Sequence, residues 1–132
     1  PVTVLLSALN TGNRDARLVD ALPWVLLHFP DMDWPQLEKA AKANDLQNRL
    51  GFLTALARKT AEGRGDVRTA ALLKDREERL YDSRLANEGT LCNDPMTNAE
   101  RRWILQNRPA LARRWNLLTN LSPEHLDYYA DR

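Results

Sequence analysis

Apolar positions along this chain recur at helical spacing, and no two alternating stretches pair as a hairpin. The pattern is organised by Asp33–Arg58, which reads as two helices joined by a very short break. Asp33 is placed to cap the first, because its carboxylate accepts from the free amides of the opening turn. Gln36 completes a capping box, and Met32 and Leu37 stand where a hydrophobic staple packs. Pro35 fits only a first turn, since it has no amide to donate. Asn44-Asp45 stops that helix, and Asp45 is expected to cap the next. There Leu46, Leu50, Leu53 and Ala57 form a stripe that Phe52 and Leu56 widen. Gly51 lies within it, at a cost of about 1 kcal/mol against alanine unless a neighbour must come close. The expectation is a helix crossing at that point.

On the N-terminal side, Val2–Leu9 is expected as a short helix, since no second strand exists to pair with it. Arg14–His28 follows with Leu18, Leu22, Val25 and Phe29 on one face, and Pro23 predicts a kink or a break near Leu22. After Arg58, the Gly-rich polar run Ala61–Asp66 is the expected mobile loop. Asp66 caps a long charged helix, Val67–Ala86, which buries Leu73, Leu80 and Tyr81. On it Asp75 attracts Arg79 and Glu78 repels Asp82. Thr90–Met96 reads as a loop, and Thr97 with Glu100 as a capping box for a helix to Asn107. Pro109 opens another over Ala110–Leu118, and Ser122-Pro123 a last one through Tyr129. The fold expected is all-α: one compact multi-helix domain, residues 1–132, of seven or eight mostly short helices. The chain begins at Pro1 with an abruptly apolar stretch, which favours the C-terminal part of a longer protein.

Composition narrows the classes of function. A formal net charge of +1 gives no global pull toward nucleic acid or anionic membrane. No apolar run approaches the ~20 residues of a membrane span. The single cysteine, Cys92, cannot form an intramolecular disulfide, and no signal peptide is legible, so a reducing cytoplasm is the expected location.

Three constellations carry candidate chemistry. Asp33–Arg58 has the outline of a helix-turn-helix, yet its second helix is apolar over most of its girth. Only Gln47, Asn48, Arg49 and Thr54 remain there to read base edges, so a core helical hairpin is the better reading. The second constellation is basic and aromatic. Arg101, Arg102, Arg108, Arg113 and Arg114 interleave with Trp103 and Trp115, opposed only by Glu100. Arginine beside tryptophan anchors protein partners and can also grip phosphate and stack on bases. The third is catalytic or metal chemistry at Cys92 or at His28 beside Asp31–Asp33. Neither has ligand spacing, a paired base or a phosphate-binding loop, so no enzyme, cofactor or metal site is expected.

The run Leu37-Glu38-Lys39-Ala40-Ala41-Lys42-Ala43-Asn44, followed by Arg49-Leu50-Gly51-Phe52-Leu53, resembles the helical region of AbiEi-type antitoxins. The resemblance implies a bacterial antitoxin and autorepressor, encoded beside a nucleotidyltransferase-like toxin, with a winged-helix DNA reader at its N-terminus. No winged helix is legible here, so the resemblance implies that this chain is the helical part that does not read DNA, or a relative built differently. The combined expectation is a non-enzymatic interaction or regulatory domain in a toxin–antitoxin or phage-defence setting. It binds a protein partner through Arg101, Arg102, Trp103, Arg108, Arg113, Arg114 and Trp115. The alternative is direct nucleic-acid binding, DNA included, through segment 100–115.

Overall fold

The computed structural model describes residues 16–29, 31–85, 89–90 and 97–118. Six helices lie within them: α1 (Ala16–His28), α2 (Trp34–Ala43), α3 (Gln47–Gly63), α4 (Val67–Asp82), α5 (Asn98–Asn107) and α6 (Ala110–Arg114). That is fewer than the seven or eight expected, and the helices expected at 2–9 and 122–129 fall outside the described residues. The only other regular pairing among the described residues is two residues long. Gly89–Thr90 (β1) runs parallel to Leu117–Leu118 (β2), with Gly89 opposite Leu117.

α3 is the axis of the fold. Leu50, Phe52, Leu53, Ala55, Leu56 and Ala57 are all fully buried, so this helix is covered almost all round. Its most extensive partner is α4, followed by α1. α4 turns Ala70, Leu73, Glu77 and Leu80 inward, a stripe at helical spacing, and leaves Tyr81 half-buried. α2 adds Trp34, Leu37 and Ala41, with Met32 packed half-buried against the cluster as the staple requires.

The caps follow local chemistry. Asp33 accepts from the Gln36 amide at 3.2 Å, Asp66 from Thr69 at 3.2 Å and Thr97 from Glu100 at 3.1 Å. The Thr69 hydroxyl and amide together hold the Asp66 carboxyl below the usual carboxylate range. Asp45 departs from its expected role. Leu46 occupies the N-cap of α3 with no side-chain bond, while Asp45 adopts a positive φ of 55° and makes the reversal.

Other boundaries shift for stated reasons. Pro23 lies inside α1 and does not divide it. Leu22 and Leu26 are buried, but Phe29, expected on the same face, is 52% exposed. It precedes Pro30, and a residue before proline is pushed out of the helical region, so its side chain leaves the stripe. Ala61–Asp66 is not a long loop. α3 runs on to Gly63 with Ala61 buried, and Gly65 at φ 76° closes a tight left-handed turn. α4 ends at Asp82, short of the expected Ala86, because 83–85 is claimed by α3 side chains described below. α6 stops at Arg114, short of Leu118, because Asn116 takes a positive φ of 55° and the chain then pairs with β1.

Candidate protein-interaction surface

Among the described residues, the arm formed by 97–118 is fastened to the helical body where the chain leaves α4. Asn48, at the start of α3, accepts from the Leu85 amide at 2.7 Å and donates to the Leu85 carbonyl at 3.0 Å. Gln47 donates to the Ser83 carbonyl at 3.1 Å. Asn116, from the arm, donates to the same Leu85 carbonyl at 2.9 Å. Arg84 reaches the Arg114 carbonyl at 2.6 Å, and Arg108 the Leu117 carbonyl at 3.0 Å. Most buried polar groups are hydrogen-bonded, and this network satisfies backbone groups of the chain as it leaves α4.

Trp115 locks the same junction. Its ring is fully buried, lies edge-on to Tyr81 at 5.6 Å, and fills the notch left by Gly51. A Cβ at position 51 would overlap the Trp115 six-membered ring. The helix crossing expected at Gly51 is therefore a close approach between α3 and the indole. Trp115 belongs to the core and cannot face a partner in this fold, which corrects its assignment to the binding surface. The sequence pairs it with Trp103 by composition, but only Trp115 has a glycine notch to enter.

The remaining residues of that surface are distributed unequally. α5 has no buried residue. Trp103 is 56% exposed and Leu105 38%, and Arg101 and Arg102 are exposed on the same helix. Trp103 and Leu105 are two residues apart, so they lie about 160° apart around the axis and form two flanks, not one stripe. Arg113 and Arg114 are exposed on α6, while Arg108 is only half-exposed. The Arg114 guanidinium stacks over Tyr81 at 4.1 Å, with Arg84 over the same ring at 4.7 Å. The segment carries five arginines against one glutamate in a chain of net charge +1, so the arm is a basic region on an otherwise acidic protein.

Burial takes three of the four candidate base readers of α3 away from solvent. Gln47, Asn48 and Thr54 are all buried, and the first two are committed to Ser83 and Leu85. His28 is exposed with Nδ1 2.7 Å from the Trp24 carbonyl oxygen, and no cluster of three potential metal ligands occurs among the described residues. Cys92 lies outside them.

Two features were not legible beforehand. One is the ion pair of Arg58 with Glu77, nearly buried between α3 and α4 and joined by Glu62 at 2.8 Å. Burial lowers the Arg58 pKa, but the hydrogen bonds and charges of Glu77 and Glu62 outweigh it and leave the pKa raised. The other is a cleft of about 250 Å³ at the junction of α3, α4 and α6. Lys59, Lys74 and Arg114 line it, together with Glu77, Glu78 and Leu111. A second, larger cleft of about 630 Å³ lies between Asp31 and the outer face of α4, and its Asp75 is already engaged by Arg79 at 3.5 Å.

Comparison with protein-family models, with curated proteins and with solved structures finds no match for the chain. Among the described residues, no helix is long and apolar enough to cross a membrane.

Proposed function

We propose that this chain is a non-enzymatic protein-binding domain that docks its partner on the α5–α6 arm. One observation carries the reading: α5 buries none of its residues, yet it holds an exposed tryptophan among exposed arginines. A large exposed indole flanked by guanidinium groups is the composition of an interface hot spot. Trp103 supplies the area to be desolvated, and the exposed arginines of α5 and α6, Arg101, Arg102, Arg113 and Arg114, supply bidentate contacts. The antitoxin resemblance of Leu37–Leu53 supplies the setting, a cytoplasmic regulator whose partner is a cognate toxin. Nucleic acid is the less favoured ligand, because the segment exposes one indole and a stacking surface needs several.

The test is affinity capture from the native host, with and without nuclease, using the wild type, Trp103→Ala, and Arg113→Glu with Arg114→Glu. The expected result is one protein that survives nuclease and is lost with either variant while the melting temperature is kept. Capture unaffected by both variants, or recovery of nucleic acid alone, sinks the proposal.

A further inference from the structure

The cleft between α3, α4 and α6 carries the basic surface of the arm onto the helical body. Lys59 on α3 and Lys74 on α4 are far from the arginine segment in sequence, yet both line one cavity with Arg114. All three are exposed, and neither lysine enters an ion pair among the described residues. Arg58 also lines the cleft, but Glu77 and Glu62 already bind its guanidinium, so the charge of that pair is spent at the floor. An incoming group meets Lys59, Lys74 and Arg114 against one uncommitted carboxylate, Glu78. At about 250 Å³ the cavity is smaller than the ~300 Å³ at which sites for whole small molecules begin. It has room for a single side chain, with Leu111 as an apolar wall for its methylenes.

We propose that this cleft takes a carboxylate side chain of the protein partner, so the segment that docks on the arm is acidic. The inference rests on the reading of the arm as a protein-docking surface and adds the partner's chemistry. A carboxylate there can accept from two ammonium groups and a guanidinium, donors supplied by three helices. A nucleic-acid backbone fits worse, because its charge repeats along its length and the cavity has room for a single group.

The experiment uses an oligoglutamate peptide as probe, read by fluorescence anisotropy, beside a single-stranded oligonucleotide of matched charge. Lys59→Glu with Lys74→Glu weakens peptide binding about tenfold. Lys39→Glu with Lys42→Glu changes the net charge equally on the exposed face of α2 and leaves binding near wild type. Thermal unfolding is followed in parallel, and Lys59→Gln with Lys74→Gln reproduces the ranking at smaller size. Equal weakening by the two reversed pairs, no peptide binding, or tighter binding of the oligonucleotide overturns the proposal. Native-partner capture separates the two readings. Loss with Trp103→Ala but not with Lys59→Glu/Lys74→Glu overturns the acidic-side-chain site and leaves the arm as the docking surface. Loss with both supports the site.

Discussion

Two tryptophans twelve positions apart, in the same arginine-rich segment, have opposite environments. Trp115 is fully buried and Trp103 is 56% exposed. The helices around them differ in the same way, since α3 is buried almost all round and α5 nowhere. The difference teaches that composition does not assign a role to an indole. Trp115 is inside because Gly51 leaves a space its ring can enter and because Asn48, Asn116 and Leu85 bring the chain to that space. Trp103 sits on a helix that buries none of its residues.

The largest expected effect breaks this comparison directly. Trp115→Ala removes a fully buried ring and should cost about 3–5 kcal/mol in urea unfolding. The Trp115 Nε1 has no hydrogen-bond partner among the described residues, so the loss is of packing and not of a polar contact. Trp103→Ala should stay within about 0.5 kcal/mol, the usual range for a surface substitution. Similar costs for the two would erase the distinction between a core and a surface indole.

The next effect compares charges instead of rings. Glu77→Ala leaves Arg58 without its main counter-charge between α3 and α4 and should cost about 3 kcal/mol. Arg58→Met combined with Glu77→Leu should recover most of that, because it removes both desolvated charges together. A double variant as unstable as Glu77→Ala would show that the pair itself, and not the stranded charge, holds the helices.

The smallest effect concerns Asp66, fully exposed at the start of α4. Its pKa is lowered in the folded state by Thr69, so the cap stabilises above the unfolded carboxylate pKa. That contribution is lost as pH falls through the folded value. Asp66→Asn should therefore narrow the difference in stability between neutral and acidic pH, measured by urea melts across the carboxylate range. An unchanged pH dependence would show that the cap contributes no linkage.

The same contrast separates what was legible from what was not. The positions of α2, α4 and α5 follow from Asp33, Asp66 and Thr97, each of which acts on an amide three residues ahead. Gly51 likewise announces a close approach, since nothing else justifies its cost within a helix. In the sequence Glu77 is one more charge on a mostly charged helix, because its partner Arg58 lies on another element. Lys59 and Lys74 carried no signal at all, for the cleft they share with Arg114 exists only once three helices meet.

By itself, then, the sequence determined the helical class, most helix starts and the crossing at Gly51, because capping and periodicity act within a few residues. Tertiary structure alone decided which tryptophan is core, which polar residues of α3 are turned inward, and which lysines join the basic surface. Those outcomes depend on what covers each face, and the covering groups come from distant parts of the chain.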